Sequence, residues 1–241
     1  MIAHSPSKTP IERRPLVDGH RRRIDHLRLS VTSACDLDCL YCQPTRDEIK
    51  RRNLTDAQRI EFVCFLAERY GLSQLRLTGG EPLLYPGIVS IVGAIRQVLP
   101  HLAIALTTNG HRLEKLAGPL RESGLDRLNV SVDSFNALTY QRMTGGSLER
   151  VLAGLEAARS AGFPAPKLNS VVLKGQNDKE IADNVAAAFA LRCEVRFLEA
   201  MPIGPAAETN RKLFISAAQI RRKLSETYAL QPLTDQAGST S

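Results

Sequence analysis

Six short apolar runs rich in β-formers, separated by stretches of helical period, constrain this chain more than any other feature. The runs are HLRLSVT, SQLRLTG, AIALTTN, RLNVSVD, PKLNSVVL and EVRFLEAM. The first intervening helix is read from Thr55, a side-chain cap for DAQRIEFVCFLAERYG. Its Ile60, Phe62, Val63, Leu66 and Tyr70 fall broadly on one face, and Gly71 ends it. Residues 87–98, 113–122, 148–161 and 179–192 keep the same rhythm, and Ser216 opens a last helix through Tyr228. Strand and helix alternating six times predict a parallel sheet with its helices outside. The polar and glycine-rich signals SACDLDC, TGGEP, TTNG, SVDS and EAMPIG all sit at strand C-terminal ends. That is where an α/β barrel carries its chemistry. The expected fold is therefore a partial (β/α)6 TIM-type barrel. An open doubly wound sheet stays available, because the pattern alone does not show closure.

The expected organisation is a flexible arm over residues 1–16, one core domain over 17–230 and a disordered tail over 231–241. No apolar run approaches the roughly 18 residues needed to span a bilayer. The opening MIAHSPSKTPIERRP has no apolar core of a secretory signal, so the cytoplasm is the expected compartment and no membrane partner is expected. A formal net charge of +7 favours an anionic partner. Aromatic residues are only 5% and Trp is absent, so stacking platforms for single strands are scarce and nucleic acid is not the expected partner. The basic runs at 21–23, 51–52 and 221–223 read as solvated faces.

CDLDCLYC places Cys35, Cys39 and Cys42, three of five cysteines, within eight residues just beyond the first strand. Such clustering is unlike a secreted disulfide framework. A structural zinc would need a fourth ligand. Cys64 and Cys193 read as core, and His20 and His26 lack zinc-finger spacing. An iron–sulfur cubane fits better, since thiolates hold its irons and three ligands leave one iron open.

CDLDCLYC resembles the cluster loop of the radical S-adenosylmethionine (radical SAM) enzymes. That resemblance implies one [4Fe-4S] cluster on Cys35, Cys39 and Cys42, with S-adenosylmethionine as the ligand of the open iron. It also implies an external electron donor such as a flavodoxin or ferredoxin. LRLTGGEPLLYP resembles the family's glycine-rich strand end, where Gly79, Gly80 and Glu81 would meet the cofactor. Bare glycines there would let the backbone approach it. Tyr41 matches the aromatic position beside the adenine.

The stretches LVDGHRRRIDHLRLSVTSACDLDCLYCQP, LRLTGGEPLL, LTTNG, RLNVSVDSFNALTYQRMTG, KLNSVVLKGQND and VRFLEAMPIG are similar, in that order, to the GTP 3′,8-cyclase family. That family performs the first committed step of molybdenum cofactor biosynthesis. The resemblance puts Arg28, Arg76, Thr107 and Lys167 on GTP-contacting places, and Ser131 and Met201 with Tyr41 and Gly80 on cofactor-contacting ones. Arg28 and Arg76 alternate with apolar neighbours, so both are expected to project inward, where an unpaired charge is costly.

The family's second cluster segment, with three further cysteines, has no counterpart after Cys193, and the chain ends without a double glycine. Gln74 stands where relatives carry a basic residue, and the loop between Cys42 and Thr55 is short. Three readings stay open. One is a GTP 3′,8-cyclase lacking its C-terminal portion, with a partner protein or a second copy covering the open barrel side. Another is a radical enzyme for a different anionic substrate, a nucleotide or an RNA base. The third is a non-catalytic cluster-binding protein.

Overall fold

The computed structural model describes residues 14–42, 54–203 and 206–232. The Arg51-Arg52 run, the chain end, and most of the expected arm, the tail and the loop after Cys42 lie outside them. Ahead of the six runs, where no strand is expected from the sequence, β1 (Leu16–Val17) and β2 (Arg23–Ile24) pair as an antiparallel hairpin. Asp18 closes its turn. One carboxylate oxygen accepts from the main-chain N–H groups of His20 and Arg22, the other from Arg22 Nε at 2.7 Å.

The six apolar runs become β3 (His26–Ser30), β4 (Gln74–Thr78), β5 (Ala103–Thr108), β6 (Arg127–Ser131), β7 (Lys167–Val172) and β8 (Glu194–Glu199). They form one sheet, all parallel, in the order β3-β4-β5-β6-β7-β8. Between them lie α1 (Asp56–Tyr70), α2 (Ile88–Val98), α3 (Leu113–Glu122), α4 (Ala137–Thr144), α5 (Leu148–Ser160) and α6 (Ile181–Ala190); α7 (Ala207–Lys212) and α8 (Ala217–Ser225) follow β8. Thr55 caps α1 through a reciprocal box with Gln58, and Gly71 ends it at φ 70°. Ser216 and Gln219 repeat the box on α8. Helices α4 and α7 are additions to the sequence reading.

Strand order decides between the two expected architectures. A doubly wound sheet reverses its strand order once and so places helices on both faces. Here the order never reverses, and crossovers of the right-handed sense usual between parallel strands put the connecting helices on one side. The sheet curls as well. The charge of Arg196 on β8 bears on Arg76 of β4. Four strand spacings in a flat sheet would separate those two strands by about 19 Å. The fold is a partial TIM-type barrel, open between the β3 and β8 edges.

The apolar core lies outside the sheet, against the helices. Leu75 and Leu77 of β4, Ile104 and Leu106 of β5 and Leu128 and Val130 of β6 pack there with Ile91, Ile95, Leu113, Leu120 and Val151. Each such side chain contributes roughly 2 kcal/mol by leaving water. The alternate residues form a polar inner face, where register sets Arg28 beside Arg76, Thr107 beside Asn129, Asn129 beside Lys167, and Ser131 beside Asn169, itself beside Arg196. Among the described residues no helix is long and apolar enough to cross a membrane.

Candidate active site

The loop carrying Cys35, Cys39 and Cys42 crosses the C-terminal ends of the strands and is tied to several of them. From β4, Gly80 N–H donates to Thr32 O at 2.8 Å and Glu81 N–H to Ala34 O at 2.7 Å. From β5, Asn109 Nδ2 donates to Asp36 Oδ1 at 2.8 Å. The loop's own Asp38 and Leu40 N–H groups donate to Thr144 O and Met143 O at the end of α4. Asn210 of α7 donates from one amide nitrogen to both Tyr41 O, at 3.2 Å, and Met201 O, at 2.8 Å, clasping the loop to the end of β8.

Gly79 and Gly80 are bare for a reason read differently from the sequence. A Cβ on Gly79 would lie 2.4 Å from Thr32 O, and one on Gly80 2.3 Å from Ala34 O. The space a side chain would occupy is filled by the cysteine loop itself. Glu81, expected beside the cofactor, is 1% exposed. Its carboxylate accepts from Leu83 N–H at 2.9 Å, Thr108 Oγ1 at 2.7 Å and Asn109 N–H at 2.6 Å, joining the ends of β4 and β5. It acts on the loop rather than reaching past it.

No cation is among the groups that shift Cys35 and Cys39. Burial, then the charge of Asp133, pushes Cys39 up to about 12. Burial, together with the charges of Glu81 and Asp36, also raises Cys35, against a hydrogen bond from Leu37. A reactive cysteine has the opposite surroundings, with a lowered pKa beside Lys, Arg or His. Thiols held among carboxylates become stable thiolates only against a strongly positive centre. Among the described residues, no three His, Cys, Asp or Glu side chains gather closely enough to share one metal ion. A cubane does not require that, because it offers each thiolate its own iron. A further acceptor also stands ready, as Asn210 Oδ1 is buried without a hydrogen-bond partner beside the Tyr41 and Met201 backbone. The donor set and its surroundings fit the cluster.

Deeper in the barrel the character changes to cationic. Burial and the charges of Arg28 and Arg196 lower the pKa of Arg76, so this guanidinium sits within reach of two others. Glu194 is the acid among them. Arg196 Nε lies 2.7 Å and Lys167 Nζ 3.5 Å from its carboxylate oxygens. Burial raises the pKa of Glu194, but the hydrogen bond from Arg196 and the two positive charges outweigh it and leave it lowered. Thr107 Oγ1 accepts a long contact from Asn129 Nδ2 at 3.5 Å, and Ser131 is half-buried above it. Arg196 escaped the sequence reading although EVRFLE carries the same alternation as HLRLS and QLRLT. Met201 is 64% exposed at the open edge, beside Ile203 at 63% and Leu198 at 41%.

A model of the radical SAM superfamily matches residues 29–188. GTP 3′,8-cyclase of Pseudomonas fluorescens is 42% identical over 234 residues, 94% of this chain and 68% of that protein. GTP 3′,8-cyclase 1 of Pseudomonas aeruginosa is 38% identical over 224 residues, covering 92% and 68%. Among solved structures, SuiB of Streptococcus suis bound to its precursor peptide SuiA superposes with a TM-score of 0.68 at 17% identity, over 84% of this chain and 45% of that one. A radical SAM methyltransferase from Sphaerobacter thermophilus gives 0.62 at 20% identity, over 83% and 63%. Spanning about two thirds of the length of these cyclases, the chain belongs to the radical SAM superfamily and, within it, to the GTP 3′,8-cyclase family, enzymes that work with a [4Fe-4S] cluster and S-adenosylmethionine.

Proposed function

We propose that this enzyme converts GTP to 3′,8-cyclo-7,8-dihydro-GTP, a lyase step of molybdenum cofactor biosynthesis in the cytoplasm. Cys35, Cys39 and Cys42 hold the cluster, and Tyr41, Gly79, Gly80, Ser131 and Met201 surround S-adenosylmethionine, with Glu81 supporting the loop from below. When bound, these groups would supply the radical chemistry that removes hydrogen from C3′ of the ribose and so allows its bond to C8 of the guanine.

The observation that carries the reading is the excess of positive charge inside the barrel. Among the described residues, Lys167 and Arg196 pair with Glu194, while Arg76 has the charges of Arg28 and Arg196 bearing on it. A triphosphate supplies the missing negative charge, and Arg forks match phosphate oxygens two at a time. Thr107 and Ser131 line the path from that charge to the cysteine loop, so a nucleotide gripped by its phosphates extends its ribose toward the radical source. The apolar edge of Leu198, Met201 and Ile203 is a surface for a further segment, a partner protein or a second copy to cover. Two electrons per turnover, one to cleave S-adenosylmethionine and one, with a proton, to reduce the nucleotide radical left by ring closure, would come from a small donor such as a flavodoxin or ferredoxin.

The test is anaerobic. Reconstituted protein, reductant and S-adenosylmethionine are incubated with GTP deuterated at C3′, and 5′-deoxyadenosine is analysed by mass spectrometry. Deuterium in that product is the expected result. Unlabelled product at a rate indifferent to GTP would redirect the radical to another anionic substrate, and absence of cleavage would leave a cluster-binding protein without this activity.

A further inference from the structure

Tyr41 stands between Leu40 and Cys42, so whatever fixes its ring fixes one limb of the cysteine loop. Its hydroxyl donates to Asp133 Oδ2 over 2.6 Å, across 92 residues of chain. Asp133 is 1% exposed, and its other carboxylate oxygen accepts from Val171 N–H at 2.8 Å. The main chain at Asp133 is held too. Its carbonyl accepts from Ser170 Oγ at 3.2 Å, Asn177 Nδ2 at 2.7 Å and Asn184 Nδ2 at 3.2 Å. A carbonyl has two lone pairs, and three donors converge on this one. Next along the chain, Ser134 and Thr139 both donate to Glu180, which locks the turn that follows. Asp133 is thus anchored from β7 and α6 and offers one hydrogen bond, to the cysteine loop.

We infer that Asp133 is a positioning residue for the cluster site: acting through Tyr41, it sets the Cys39–Cys42 limb so that S-adenosylmethionine meets the open iron in register. The inference rests on the reading that the three cysteines hold the cluster. A hydroxyl bound to a buried carboxylate is a short, charge-assisted bond, roughly twice as strong as a neutral one. Without it Tyr41 keeps the longer Asn210 contact at its carbonyl, but its ring loses the tether to the far side of the barrel. Supporting groups of this kind hold a site to about half an ångström.

Five proteins decide the matter: wild type, Tyr41→Phe, Asp133→Ala, the double variant Tyr41→Phe/Asp133→Ala, and Asp133→Asn. Each is reconstituted, its iron and sulfide are measured, and S-adenosylmethionine is titrated while the electron paramagnetic resonance spectrum of the reduced cluster is recorded. Iron content near wild type is expected throughout. Tyr41→Phe and Asp133→Ala are each expected to weaken S-adenosylmethionine binding roughly tenfold, at the low end for supporting residues of a metal site, and to blunt the cofactor-induced change in g values. The double variant should be no worse than the weaker single one, and Asp133→Asn, which keeps an acceptor, should recover most of both signals. Unchanged affinity and spectrum in Tyr41→Phe would overturn the inference, and so would losses that add in the double variant. Should Asp133→Ala fail to fold, Tyr41→Phe against Asp133→Asn still decides it. If wild type takes up no more iron than Cys39→Ala, the cluster assignment itself falls, a failure distinct from loss of the Asp133 effect alone.

Discussion

At the upper end of the barrel the cysteine loop is tied down by the protein itself, whereas further down the strands Arg76 sits against the like charges of Arg28 and Arg196. Backbone N–H groups from β4, side chains from β5 and α7, and carbonyls from α4 all reach the loop. The deeper layer has Glu194 for partial relief. One region has its geometry completed by the protein, the other its charge left for a substrate to complete. A preformed loop suits a resident group whose ligands must be exact in place. An unbalanced cationic layer suits an exchanging anion, because relief of repulsion adds to the binding free energy.

The sharpest way to break this contrast is Gly80→Ala. The new methyl would meet Ala34 O at 2.3 Å and Ser33 O at 2.6 Å, both backbone atoms. Overpacking of this kind costs about 1–3 kcal/mol and displaces the loop. Iron uptake should fall below about a tenth of wild type while the helices persist by circular dichroism. Retention of iron would show that the loop does not need this close approach.

Next in size, Arg76→Met should act oppositely on stability and on binding. Removing one of three like charges should raise the melting temperature of the nucleotide-free protein by about 2–4 °C, the equivalent of roughly 1 kcal/mol for a chain of this size. GTP affinity, by calorimetry, should drop more than tenfold, as loss of a charged hydrogen-bond partner commonly does. A parallel fall in both would make Arg76 a structural residue instead.

A gentler probe is pH. Burial raises Asp133 from 3.8 to about 6, against hydrogen bonds from Tyr41 and Val171. The folded chain therefore holds that proton more tightly than the unfolded chain does. Stability contributed by the protonated acid is present below about pH 4 and is lost as pH rises to about 6, on the order of 3 kcal/mol in total. Urea unfolding of cluster-free wild type and Asp133→Asn across that range should differ in slope, the variant lacking this decline. Equal slopes would mean that the carboxyl is solvated.

The smallest expected effect is a control. Gly93 lies inside α2, and a Cβ there would meet only Ser123 Cβ at 3.8 Å. Gly93→Ala should stabilise by about 0.5–1 kcal/mol through helix propensity. Iron content should not change. Loss of iron in this variant would mean that the outer layer and the loop are coupled after all.

The strands and most helices were legible because their signals are local. Alternation in QLRLT and a capping box at Thr55 need no distant partner. Helix α4 escaped because eight residues, ALTYQRMT, are too few for a period, although Asn136 caps it by accepting from Leu138 and Thr139. Helix α7 has no side-chain cap, and its one buried residue is Asn210. The cysteine cluster showed in its spacing and the arginines in their alternation, though Arg28, expected to be enclosed, is exposed on β3. Asp133 and Asn210 were not legible, because their roles exist only through Tyr41, and no spacing rule links positions so far apart. Arg196 was not singled out, although its alternation repeats that of Arg28 and Arg76. Glu81 shows the reverse difficulty, a conspicuous motif residue whose carboxylate turns out to be consumed by Leu83, Thr108 and Asn109.

The Asn210 clasp has a consequence for biosynthesis. The loop is made early, but its partners leave the ribosome late: Asp133 follows Tyr41 by 92 residues and Asn210 by 169. At about 5–20 residues per second, roughly 10–30 seconds separate the emergence of Tyr41 from that of Asn210. Throughout that interval the nascent chain displays three thiols with an unfinished frame. The frame of that loop is complete only when nearly the whole barrel has been made, a timing written into the order of the residues along the chain.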